Sequence, residues 1–321
     1  MNHKEQITSS DILEAAQRIS PFINHTPLLT SQTINRLFDA DVYFKCENFQ
    51  KVGAFKARGA TNAVLSLDKL HLQRGVATHS SGNHAQALSR AALLVNTKAY
   101  IVMPSDSSRI KIDAVKEYGG IITFCEPTLE ARETTLEKIL AQTGATEIHP
   151  YNNLQIIAGQ ATAALELIRE AGDPDIIMAP VGGGGLLSGT ALAVHYFLPG
   201  GKVIAAEPEN ANDAYQSFIH KRFIPSEKPD TMADGLRTSL GSITFPIILE
   251  HVHDIVTVSE ESIVRAMRFL WERMKIIVEP SSAVPFAALM EAKISITGKK
   301  VGIIISGGNV DLDHLPWMKN G

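Results

Sequence analysis

Short runs of β-branched and aliphatic residues alternate with helical stretches along almost the whole chain. That rhythm predicts parallel sheets covered by helices, an α/β protein. Strands are predicted at 41–47, 76–78, 99–103, 121–124, 176–181, 203–206, 255–258 and 301–305. A first helix is predicted to begin at Asp11, which would cap it with Glu14 in the third helical place, and to end before Pro21. Further helices are expected from the neighbourhood of Lys56 through Leu65, over 85–94 and over 110–118. Another should start after Ser259, with Glu260 and Glu261 in a first turn that favours carboxylates. The block 75–149 has a compact pattern of its own and reads as a small α/β domain inserted into a larger one made of 1–74 and 150–321. No internal repeat or low-complexity segment interrupts the pattern, and no terminal regulatory domain is expected after the last strand.

Composition narrows the function classes. The 321 residues suffice for about two domains, and 45% hydrophobic with 20% charged residues is ordinary for a globular protein. A net charge of −4 without a long basic block argues against a nucleic-acid binder. No apolar run is long enough to span a bilayer, and the N-terminus lacks an apolar signal core, so the expected location is cytoplasmic. Cys46 and Cys125 read as buried free thiols with no zinc-binding spacing.

The chemistry concentrates in three segments. The strand over 176–181 runs into Gly182-Gly183-Gly184-Gly185, and Leu186 opens a helix. Glycines let backbone N–H groups approach an anion, and the helix start adds favourable partial charge. No Gly-Lys-Ser/Thr follows, and the Gly-x-Gly-x-x-Gly spacing fails at Leu187 and Ser188. Glu207 nevertheless ends the next strand, where a dinucleotide site places its ribose-binding acid. A nicotinamide-dependent dehydrogenase therefore competes at this point, as does a plain tight turn. Lys56 follows Phe55, a neighbour that can strip water from an ammonium group, and precedes Arg58, Gly59 and Ala60. An amine able to form a Schiff base, a phosphate cradle and Ser80-Ser81-Gly82-Asn83-His84 together suggest pyridoxal phosphate.

These motifs, in this order from about Ile12 to Leu312, resemble the fold-type II pyridoxal-phosphate enzymes, the tryptophan-synthase-β-like family, and within it the serine racemase and serine/threonine dehydratase group. The resemblance implies a two-domain fold, each domain a mostly parallel twisted sheet flanked by helices. Residues 1–74 and 150–321 would bind the cofactor, and 75–149 would gate the substrate. It implies Lys56 as the Schiff-base lysine, Phe55 packed near the ring, Asn83 on the ring 3′-oxygen, Gly182 to Gly185 with Leu186 around the phosphate, and Ser306 facing the pyridine nitrogen.

Ser81 replaces the alanine usual in plain threonine dehydratases. With Lys56 on the opposite face it would allow proton exchange as well as β-elimination: L-serine to D-serine, or to pyruvate and ammonia. Ser80, Ser81, Asn83 and His84 would bind the substrate carboxylate at a helix start. Arg132 resembles an arginine that reaches the active site, where the second carboxylate of 3-hydroxyaspartate would suit it; a solvated helix face beside Glu133 is the alternative. A threo-3-hydroxyaspartate ammonia-lyase is thus a second reading. Glu207, Ala211 and Asp213 resemble the group's divalent-cation loop for Mg2+, Mn2+ or Ca2+. The segments 232–235 and 279–283 resemble site-lining loops. Some members are dimers with ATP as an effector, and Lys51, Tyr118 and Asn309 stand at the matching places. Ala161 departs from the glycine usual in relatives.

Overall fold

The computed structural model describes residues 6–318. Ten strands form two sheets: β1 (Leu28–Thr30), β2 (Asp41–Cys46), β3 (Val76–His79), β4 (Ala99–Pro104), β5 (Ile121–Cys125), β6 (Thr146–Glu147), β7 (Ile176–Pro180), β8 (Lys202–Pro208), β9 (Asp254–Val258) and β10 (Lys300–Ile305). One sheet runs β1-β2-β10-β7-β8-β9 and the other β5-β4-β3-β6. Every pairing is parallel except β1 with β2. Strands β7 and β10 are buried almost throughout, and their largely apolar sequences suit a sheet covered on both faces. The protein is α/β, and the four-stranded sheet comes entirely from residues 76–147.

The structure corrects two local expectations. The first helix spans Ser9–Ile19 and is capped by Thr8; Asp11 is the third helical residue and returns the bond to the Thr8 amide, a reciprocal capping box. Cys46 is buried, but Cys125 is only half-buried, because β5 is the edge of its sheet.

The core helix Leu154–Ala171 packs against both Lys56–Leu65 and Gly185–Phe197, the two helices that carry the lysine and the glycine run. The contacts are very close. A Cβ on Gly159 would lie 2.6 Å from Gly59 Cα, and one on Gly189 would lie 2.7 Å from the Ala161 backbone nitrogen, so the methyl of Ala161 is accommodated at a glycine crossing. Beside it, Arg58 is fully buried and forks onto two carboxylates. It reaches Glu47 at 2.7 and 2.8 Å and Glu166 at 2.7 and 2.8 Å. Lys45, also buried, closes the network on Glu166 and Glu170 at 2.8 and 2.7 Å. Two residues after Lys56, the backbone is therefore anchored to the body of the larger sheet. Among the described residues no helix is long and apolar enough to cross a membrane.

Candidate active site

Lys56 is the first residue of the helix Lys56–Leu65. The loop before it is held from the far end of the chain: Phe55 N donates to Ser306 O at 2.9 Å, and Ala54 bridges Gly307. Within that loop Val52 has φ +55, a strained conformation for a β-branched residue. Lys56 Nζ donates to Pro150 O at 2.8 Å and lies 5.0 Å from the Phe55 ring centroid. The side chain is half-buried, and loss of hydration around the nitrogen lowers the ammonium to about 8, opposed by the charge of Glu279.

Tyr151, next after Pro150, packs on the glycine run. A Cβ on Gly183 would fall 2.3 Å from Tyr151 Cδ1, and Gly184 has φ +86, a backbone that glycine adopts without cost. Gly182, Gly183, Gly184, Gly185 and Leu186 are all buried. The helix Gly185–Phe197 starts there with no side-chain cap, so its first N–H groups are free for an anion. A primary amine bonded to Pro150, with the neighbouring Tyr151 packed on a buried amide cradle, fits an aldehyde cofactor carrying a phosphate.

The third motif forms the turn after β3. The helix Asn83–Leu94 follows Gly82 and again lacks a side-chain cap. Ser80 Oγ accepts the Gly82 amide at 3.3 Å. Ser81 is half-buried, and its hydroxyl makes no hydrogen bond among the described residues. His84 is buried with Nε2 2.9 Å from Ile148 O; burial, with Lys56 nearby, lowers its imidazole to about 3, so the ring is neutral. Ser306 Oγ lies 2.9 Å from Ser282 Oγ, in the segment 279–283. Asn83 bonds to Glu279 and Asn309, joining the smaller sheet's segment to the larger one's.

Three residues here were missed by sequence reasoning. His79 and His149 stack edge-on at 6.3 Å, and His149 meets Tyr151 at 4.5 Å. Burial lowers His149 to about 4, and burial and then Arg132 lower His79. The charge of Arg132 reaches His79 from the helix Leu129–Thr143, where its Nε donates to Thr128 O at 3.3 Å. A signal existed in His149-Pro150-Tyr151, a polar aromatic cluster just before a long apolar helix, but nothing local ties it to Lys56.

Glu207 and Asp213 form a separate group at the end of β8. Glu207 is fully buried and accepts the Ala214 and Tyr215 amides at 3.0 and 2.8 Å; burial and Asp213 raise its carboxyl well above the ordinary range. Each oxygen accepts one backbone amide and keeps an acceptor site. Burial raises Asp213 to about 6, and both its oxygens are buried without a hydrogen-bond partner. Ala211, also buried, ends the short 3-10 turn between them. Elsewhere, Lys51 is exposed and Tyr118 half-buried, while Asn309 spends both amide hydrogens inside the protein, on Val52 O and Asn83 Oδ1.

A model of the pyridoxal-phosphate-dependent enzymes matches residues 19–307. The chain is 49% identical over 310 residues to a beta-hydroxyaspartate dehydratase of Paracoccus denitrificans, covering 97% of this chain and 98% of that one. It is 50% identical over 319 residues to a serine racemase of Dictyostelium discoideum, covering 98% of each. The crystal structure of serine racemase from Dictyostelium discoideum superposes with a TM-score of 0.91 at 51% identity, over 95% of this chain and 99% of that one.

Proposed function

The chain belongs to the pyridoxal-phosphate-dependent enzymes, and from that premise we propose that it is a serine racemase that also deaminates serine and threonine by β-elimination. The observation that carries the proposal is an amine and a hydroxyl able to handle protons, in two motifs that the family match spans. Lys56 is an amine lowered to about 8, and Ser81 is a hydroxyl that makes no hydrogen bond among the described residues.

The cofactor, when bound, supplies the electron sink that acidifies the substrate's α-carbon. The rest belongs to this chain. The amides of Gly182 to Leu186 would hold the phosphate, Phe55 would pack near the ring, Asn83 would bond the ring oxygen and Ser306 would face the pyridine nitrogen. The open helix start at Ser80 to His84 takes the substrate carboxylate. Lys56 removes the α-proton. Ser81 returns a proton from the opposite face to give D-serine. Where the β-hydroxyl leaves instead, the product hydrolyses to pyruvate and ammonia, or from threonine to 2-oxobutyrate.

Arg132, whose charge reaches His79, supports a second reading, threo-3-hydroxyaspartate ammonia-lyase, because its terminal nitrogens make no hydrogen bond among the described residues and would pair with a β-carboxylate. Glu207, Asp213 and the Ala211 carbonyl would hold a divalent cation, which the unpartnered Asp213 oxygens favour. Residues 75–149 would act as a substrate-gating domain. A cytoplasmic homodimer is the expected form; an ATP effector at Lys51, Tyr118 and Asn309 would have to draw Asn309 away from its internal bonds.

The test is a substrate panel of L-serine, D-serine, L-threonine and both hydroxyaspartates, read by ammonia release and chiral chromatography, on wild type and Ser81→Ala. The variant should lose D-serine formation and keep L-serine elimination. Wild-type racemisation by Ser81→Ala would sink the two-face assignment, and turnover of hydroxyaspartate alone would favour the second reading.

A further inference from the structure

One buried carboxylate at the site is held by neutral donors. Glu279 is 5% exposed, closes the run Ile276-Ile277-Val278, and forms no ion pair among the described residues. Neutral donors hold it: Asn83 Nδ2 lies 3.1 Å from each carboxylate oxygen, and the Asn309 amide nitrogen lies 3.2 Å from one of them.

The two oxygens of a carboxylate are too close together to take both hydrogens of one amide nitrogen, whose N–H bonds diverge. One N–H of Asn83 therefore enters the carboxylate and the other is left over. The opposite end of the amide is also fixed. Asn309 Nδ2 donates to Asn83 Oδ1 at 2.8 Å and to Val52 O at 2.8 Å. A carbonyl and a carboxylate can only accept, so the sense of both amides is determined.

We propose that Glu279 is a positioning residue: ionised, it fixes the amide plane of Asn83 so that the spare N–H is presented to the cofactor's ring oxygen. This rests on the reading that the cofactor lies at Lys56 with Asn83 on that oxygen. The charge matters because a neutral carboxyl carries a donor of its own and holds an amide N–H less strongly. The charged groups facing Glu279 are Lys56, and Asp234 with Lys111, which pair with each other at 2.5 Å across the two sheets' segments. Burial, with Asp234 assisting, raises the carboxyl to about 7. The hold on Asn83 is therefore complete above neutrality and weakens as the pH falls through that value.

The experiment uses wild type, Glu279→Gln, Asn83→Ala and the double variant. The absorption spectrum of the bound cofactor is followed from about pH 6 to about pH 8.5, and cofactor affinity is measured by fluorescence titration of the cofactor-free proteins. Wild type should show a change in the ratio of its two long-wavelength bands with a midpoint near 7. Each single variant should lose that change and bind cofactor about tenfold more weakly, and the double variant should be no worse than Asn83→Ala. A wild-type midpoint retained in Glu279→Gln, or losses that multiply in the double variant, would overturn the proposal. Because Asn83→Ala leaves Glu279 in place, a spectral change surviving there overturns it too, even if Glu279→Gln fails to fold. Wild-type protein that takes up no pyridoxal phosphate and shows no visible band would overturn the cofactor reading beneath it.

Discussion

Replacing Arg58 by Met should destabilise the protein heavily although the substitution touches no reacting atom. The guanidinium is completely buried and makes four short bonds to Glu47 and Glu166, with a fifth to Thr162 Oγ1 at 3.1 Å. Methionine fills most of the volume but leaves Glu47, itself fully buried, with only the Thr26 hydroxyl at 2.6 Å among the side chains. Glu166 suffers less, since Lys45 remains 2.8 Å away and the carboxylate is 17% exposed. Removing one partner of a buried pair costs about 3–5 kcal/mol, a large part of the roughly 5–15 kcal/mol that holds a typical domain together. With an m-value of about 3 kcal/mol per molar, the urea midpoint should fall by about 1.3 M. Equilibrium unfolding followed by tryptophan fluorescence and far-UV circular dichroism reads it directly. The companion variant Arg58→Met with Glu47→Gln removes the stranded charge and should regain about half the loss. A midpoint shift below about 0.3 M, or a double variant no better than the single one, would refute the argument that a stranded carboxylate causes the cost.

Three further outcomes follow from the site. Gly183→Ala places a methyl 2.3 Å from the Tyr151 ring, so cofactor affinity should drop by about 100-fold in a spectroscopic titration while the circular dichroism stays native. Uptake of pyridoxal phosphate by cofactor-free protein needs neutral Lys56; its stopped-flow rate should rise with pH through a midpoint near 8 and then level off, and a rate independent of pH would be the contrary result. Magnesium at about 100 times its dissociation constant should stabilise the protein by about 2.7 kcal/mol in thermal unfolding. Asp213→Asn should abolish that gain if the unpartnered oxygens are ligands.

Much of the framework was legible because parallel strands buried on both faces must be apolar along their whole length. The runs over 176–181 and 301–305 could hardly be anything else. Edge pieces were not legible: β1 has three residues and β6 two, too few to show a period. The helix Leu154–Ala171 also escaped, because it is buried along most of its length and exposes only Gln155, Arg169 and Glu170. So did Pro280–Met290, since Pro285 stands in its interior. For the site, contiguous motifs carried the chemistry of Lys56, the glycine run and Ser80 to His84. Glu279, His79 and His149 come from segments remote from Lys56, and only the packing of two sheets brings them into one electrostatic neighbourhood. The first helix shows the limit at close range: Thr8 and Asp11 are both competent caps, and the choice between them is made by backbone geometry.

Strand β10 lies between β2 and β7 and so is the seam of the larger sheet. During synthesis the ribosome delivers β2 long before β10, and until β10 arrives β2 has no partner on that side and the carbonyl of Ser306 is not there to receive Phe55. Vitamin capture is thereby deferred until β10 has docked: the nascent protein carries a reactive amine well before it gains the scaffold that aims it.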